Sequence, residues 1–293
     1  MKTIEDTTFD PHCAAQHFGM WAIEPHWFCT AVESVRAGTY AAETVTQRGR
    51  ILYVVDDVGV ARVPISGQIM KGDSKFGGTS SLRVRQAVRK AIGDGDVKSI
   101  VLHIDSPGGT VAGTANLAND VKMANQVKPV VAHIDDLGAS AAYWVASQAR
   151  WITATATSEI GSIGTVAVVE DSSEKAELEG IKVHVISTGE FKGIGVDGAP
   201  VLPSHLEYLQ SRVEDLNGHF LHAVKKGRNM SIEAVRKLAD GKVHIAGGAL
   251  SLGLIDGLGS LEDAMKMAGR LADSEIKTRR EAGSLRSRRA GLT

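Results

Sequence analysis

A serine set among small residues, Gly138-Ala139-Ser140-Ala141-Ala142, is the first feature of this sequence equipped for chemistry. It stands where an apolar strand is expected to run into a helix, so its hydroxyl projects with little bulk beside it and the positive helix end favours a developing anion. Serine is also a preferred helix N-cap, and Ser140 by itself reads more readily as a cap than as a nucleophile. A hydroxyl is a weak nucleophile and needs a base. Ten histidines are available, but His103, His133 and His184 fall in predicted strands as structural residues, and His205, His219 and His222 on a long polar helix. None stands in a glycine-rich loop that would deliver it to Ser140. Lys192, in Gly189-Glu190-Phe191-Lys192-Gly193-Ile194-Gly195, is the better candidate, with Phe191 and Ile194 at hand to dry it. Lowering a lysine from about 10.4 to about 7 disfavours the charged form by about 4 to 5 kcal/mol, which requires burial. Without such cover Lys192 is one more surface lysine. A third segment, Asp105-Ser106-Pro107-Gly108-Gly109, ends another strand. Its two glycines let backbone N–H groups approach a bound oxyanion with no Cβ in the way, or simply make a tight turn.

The elements that must position these residues alternate regularly. Apolar, β-branched runs at Ile51–Val55 and Val58–Ile69 predict strands, followed by a glycine-rich loop at Gly77 and Gly78. Leu82, Val84, Val88, Ala91 and Ile92 form a helical stripe behind the capping serines Ser80 and Ser81, and Ser99–Ile104 is a nearly continuous apolar strand. A helix over Thr110–Asn125, a strand over Pro129–Ile134 and a helix from Ala139 follow. This β-α-β order predicts an α/β fold with a mostly parallel sheet, right-handed crossovers and flanking helices. Further strands are expected at Trp151–Ala154, Thr165–Val169 and Lys182–Ser187, and helices at Pro203–Arg228, Ser231–Ala239 and Leu261–Leu271. Three parts result: an N-terminal extension over 1–48, a catalytic domain over 49–270 and a basic tail over 271–293. The extension holds a short helix at Pro25–Arg36, with Trp21, Trp27 and Phe28 set to pack against something. The tail, with little apolar periodicity, is expected to be disordered.

With 43% hydrophobic residues and a net charge of -1, the 293-residue chain is that of a soluble globule with no global field for nucleic acid or an anionic membrane. No run of 18 apolar residues is present, so no membrane span is expected. Glu5, Asp6 and Asp10 occupy the place of the basic start of a secretory signal, and a cytoplasmic location fits best. Cys13 and Cys29 alone build neither a disulfide framework nor a four-cysteine zinc site. No cofactor or metal is expected.

The segments Asp105–Gly109, Gly138–Tyr143, Gly161-Ser162-Ile163-Gly164, the Lys192 loop and Gly253-Leu254-Ile255-Asp256-Gly257-Leu258-Gly259 stand in the order seen in the signal peptide peptidase A family of serine proteases, which this chain resembles over about Val58 to Ala268. The separation of Ser140 and Lys192 resembles that of single-domain members. The resemblance implies a crotonase/ClpP-like fold and a serine endopeptidase with a Ser/Lys dyad. Ser140 would be the nucleophile and Lys192 the base, with amides of Gly108 or Gly109 and of Ala141 as oxyanion donors, and Ser162 holding the lysine. Within the family the chain resembles the phage and prophage branch, the head maturation proteases. It would then act on capsid, portal or scaffold proteins in the host cytoplasm or the procapsid, as a homo-oligomer in which a neighbour can supply the lysine. The rival readings are a cytoplasmic peptidase degrading signal-peptide remnants or other peptides, a non-proteolytic acyl-thioester enzyme of crotonase type, an inactive assembly or scaffold protein, and an α/β-hydrolase esterase.

Overall fold

The computed structural model describes residues 20–36, 52–73 and 78–290. The acidic start of the chain, Cys13, Ile51 and Gly77 lie outside the described residues. The chain opens with strand β1 (Trp21–Ile23) and helix α1 (Pro25–Arg36), then β2 (Val54–Val55), β3 (Val60–Ser66), β4 (Ile69–Met70), β5 (Thr79–Ser80) and α2 (Ser81–Gly93). There follow β6 (Ser99–Ser106), β7 (Gly108–Thr110), α3 (Val111–Val127), β8 (Val130–Ala139), α4 (Ala141–Ala146), β9 (Trp151–Ala154) and β10 (Glu159–Gly161). The remainder is α5 (Ser173–Leu178), a 3-10 turn at Glu190–Gly193, α6 (Pro203–Gly227), α7 (Ile232–Leu238), β11 (Val243–Ile245), α8 (Ala246–Ser251), β12 (Gly257–Leu258) and α9 (Leu261–Ala290).

The mixed α/β architecture centres on parallel strands β3, β6 and β8. β8 changes partner along its length, pairing β9 through Val131–Ile134 and β10 through Leu137–Ala139. Side chains alternate across the sheet as the two-residue strand period requires. Val63, Ile65, Leu102, Ile104, Ala132 and Ile134 face the main core, with Val84 and Val88 of α2 and Leu117 and Val121 of α3. Val60, Val101 and Val131 face the other way, against Ala264 and Ala268 of α9. Each fully buried Ile or Leu contributes about 1.5 to 3 kcal/mol, so this two-sided burial fixes the strand ends that carry the site. Among the described residues no helix is long and apolar enough to cross a membrane.

Three expected elements differ. The stretch Lys182–Ser187 is not a strand, and Thr165–Val169 contributes only a bridge from Val166 to Trp21. The β-branched alternation is there, but a strand also needs an edge to pair with, and Ile186 is 96% exposed. The basic tail, expected to be disordered, is helix to Ala290. Ala264, Ala268 and Ala272 extend a buried stripe along α9, Arg150 pairs with Glu275, and the following residues include good helix formers.

His133 of β8 is buried, and among the described residues neither ring nitrogen has a hydrogen-bond partner. Burial first, and the neighbouring His103 second, hold its imidazole below the ordinary value, against the opposing pull of Asp135, Glu262 and Asp263. The unfolded chain therefore takes the proton first as pH falls. The stability that a neutral His133 supplies is complete above about pH 6.5 and is lost as pH falls from there towards the folded-state value. Melting temperature measured between pH 5 and 7.5 should fall with acid, and more shallowly in His133→Leu.

Candidate active site

Ser140 joins β8 to α4 with φ 54° and ψ −116°, a region that side-chain-bearing residues rarely adopt and that costs about 1 to 3 kcal/mol. Its surroundings enforce that conformation. The Ser140 N–H donates to the Gly161 carbonyl at 2.7 Å, and the Ser140 carbonyl accepts from the Trp144 N–H at 2.8 Å. Helix α4 is apolar all round and wholly buried. Trp144 stacks on Phe220 with centroids 4.7 Å apart, and the Tyr143 hydroxyl, pushed up by burial, donates to the Leu254 carbonyl at 2.8 Å. The Gly253–Gly259 segment thus anchors the helix that holds Ser140. The serine does not cap α4 through its side chain. Its hydroxyl, on a residue only 1% exposed, reaches the Gly164 carbonyl at 3.4 Å. A strained strand-to-helix turn with an uncommitted hydroxyl is the arrangement that presents a nucleophile.

The glycine turn stands directly beside it. Gly108 has φ +96°, and a Cβ there would meet the Ala22 carbonyl oxygen at 2.4 Å, the Ala141 nitrogen at 2.8 Å and the Ala139 carbonyl oxygen at 2.9 Å. At Gly109 a Cβ would meet the Ile69 carbonyl oxygen at 1.8 Å. Both positions therefore require glycine, and the first brings the turn against the Ala141 amide. Ser106 locks the turn, since its hydroxyl donates to the Gly67 carbonyl at 2.6 Å and accepts the Gly108 N–H at 3.2 Å. On the adjoining strand ends Asp105 is held above the usual carboxylate range by burial and by Asp136, while His103 pairs with Asp135 at 3.2 Å.

Ser162 also has a positive φ, 48°, and is buried, and its N–H donates to the Lys242 carbonyl at 2.7 Å. It follows Gly161, whose carbonyl holds Ser140, so the two serines sit on neighbouring strand ends. Lys192 is elsewhere. It is exposed on the 3-10 turn, and among the described residues no hydrogen bond or ion pair joins its amine to Ser140 or to any other group. Phe191 lies against Tyr208 and His205 and is itself 44% exposed, so it does not enclose the lysine. The sequence reading missed β1, which passes between the glycine turn and Val166. Its signal was the apolar Trp21-Ala22-Ile23 run ahead of Pro25.

The site is thus a strained, buried serine at the C-terminal end of a parallel strand of an α/β protein, beside a tight glycine turn. The chain belongs to peptidase family S49, whose family model matches residues 122–275. It is similar to a Synechocystis protein named as a candidate protease, 32% identical over 216 residues, 73% of this chain and 74% of that one. Protease 4 of Haemophilus influenzae is 28% identical over 75% of this chain and 36% of its own length. Capsid assembly protease C of Escherichia phage lambda is 29% identical over 78% of this chain and 52% of its own.

Proposed function

We propose that the chain is a serine endopeptidase on a crotonase/ClpP-like fold, with Ser140 as nucleophile and Lys192 of a neighbouring copy as base. The observation that carries this reading is the enforced, non-capping conformation of Ser140 beside the glycine-turn and Ala141 amides. The neutral lysine takes the hydroxyl proton as Ser140 Oγ bonds to a peptide carbonyl carbon. The oxyanion accepts from Gly109 and Ala141, since the Gly108 amide is engaged by Ser106. The lysine then gives its proton to the departing amine as the C–N bond breaks, and water releases the acyl group by the reverse sequence. Ser162, next to Ser140, orients the incoming amine.

Lys192 is the reason for invoking a second copy. The mechanism needs that amine dry and within hydrogen-bond reach of the hydroxyl, and a single chain offers neither. The segment before it carries exposed apolar side chains, Leu178 at 90% and Ile186 at 96% exposure with Ile181 and Val185 also exposed, and Val185 lies against Gly193 beside the lysine. Such a concentration favours burial between copies. Substrates are extended segments of other proteins, paired by their main chain. The similarity to a phage capsid assembly protease supports capsid or scaffold proteins as those substrates, processed during head maturation in the host cytoplasm or procapsid.

A fluorophosphonate tests the site. One adduct per chain, on the peptide carrying Ser140, is the expected result. An unlabelled Ser140 in the assembled protein would leave an inactive assembly component or a thioester enzyme as the better reading.

A further inference from the structure

β1 is hydrogen-bonded along both of its edges. On one side it runs antiparallel to β7, where the Glu24 N–H donates to the Pro107 carbonyl at 2.8 Å and the Val111 N–H to the Met20 carbonyl at 3.1 Å. The alternation of an antiparallel ladder makes Ala22 and Gly109 the bonded pair between them. On the other side Trp21 exchanges both of its backbone bonds with Val166 at 2.8 Å. Among the described residues β7 and Val166 do not pair with each other. They are two edges held roughly two strand spacings, about 10 Å, apart, and the strand between them is β1.

That gap runs past Ser140. Val166 is two residues beyond Gly164, which accepts the Ser140 hydroxyl, and β7 is the glycine turn itself. The Ala22 carbonyl oxygen and the Ala141 amide lie against the same point beside Gly108. The Ala22 carbonyl, whose residue pairs with Gly109, and the Ala141 amide thus both border the glycine turn assigned above to an oxyanion. Trp21, Ala22 and Ile23 are all buried, and the Ala22 methyl packs in the main core, where a larger side chain has no room. The strand stops at once, because the Glu24 carboxylate accepts the N–H groups of His26 and Trp27 at the start of α1, and Phe28 returns onto Trp21.

We propose that residues 20–24 are the protein's own occupant of its peptide groove, seated in substrate register with Ala22 as the acyl residue and the Ala22–Ile23 bond at Ser140. A substrate then has to displace β1, and it presents a small residue at the position of Ala22. The purpose of the groove rests on the protease reading; its occupancy does not.

Hydrogen exchange separates the two. In the full-length Ser140→Ala protein, adding Ala22→Arg should speed exchange at the Gly109, Val111 and Val166 amides at least tenfold while β6 and β8 keep their protection. Ile23→Asp should give the same pattern if the arginine lowers overall stability. With Ser140 intact, Ala22→Arg should raise the rate of fluorophosphonate labelling about tenfold. Unchanged exchange at those three amides in both folded variants would overturn the proposal. Faster exchange without labelling of either protein would uphold the occupancy and remove the protease reading alone.

Discussion

Ser140→Ala is expected to lower peptide hydrolysis by roughly a thousandfold or more, with the melting temperature nearly unchanged. The size follows from the role, since no second hydroxyl stands at the strand-to-helix turn with its backbone so placed. The stability follows from the bonding. The Ser140 hydroxyl makes one long contact, 3.4 Å to the Gly164 carbonyl, and caps nothing, so its loss costs about 1 kcal/mol or less. The strain at φ 54° is borne by the backbone and is the same for alanine. A folded Ser140→Ala protein that still cleaved at a rate close to the parent would place the chemistry elsewhere.

The second large effect is a rescue. Lys192→Ala should inactivate as fully as Ser140→Ala, and Lys192→Arg should do no better, because a guanidinium stays protonated. Mixed and reassembled in equal amounts, the two inactive proteins should recover about a quarter of the parental activity. In a closed ring each site then pairs an intact serine with a neighbour's intact lysine at random, one time in about four. If the dyad formed within one chain, every site in the mixture would lack one member and no activity would return. Hydrolysis of an internally quenched peptide reads either outcome. The exposed position of Lys192, away from Ser140 in the single chain, favours the rescue.

Much of the framework was legible in the residues because it rests on local patterns. The apolar runs Ser99–Ile104 and Pro129–Ile134 and the stripe Leu82 to Ile92 correspond to β6, β8 and α2. The helix read at Pro25–Arg36 has those bounds. What failed depended on partners that a sequence does not display. Lys182–Ser187 has strand chemistry but joins no sheet among the described residues, and the charge run from residue 271 continues a helix whose buried stripe is Ala264, Ala268 and Ala272.

The site divides in the same way. Ser140, Gly108, Gly109 and Ala141 could be picked out because small residues at strand ends are written in the sequence, and the structure brings them together. The positive φ of Ser140 was not legible, since the bond from its N–H to Gly161 and the anchoring of Tyr143 by Leu254 come from distant positions. Nor was the use of Trp21-Ala22-Ile23, which read only as something to be packed. Lys192 could be proposed from its glycines, but among the described residues it is exposed and bonds to nothing near Ser140, which a local pattern does not reveal.

The decisive measurement is the separation of Ser140 Oγ and Lys192 Nζ in a crystal structure of the assembled protein. The mechanism predicts about 3 Å, between two copies, with the amine enclosed by apolar side chains. Two groups left beyond reach of each other in that assembly, with the ammonium in solvent, would contradict it.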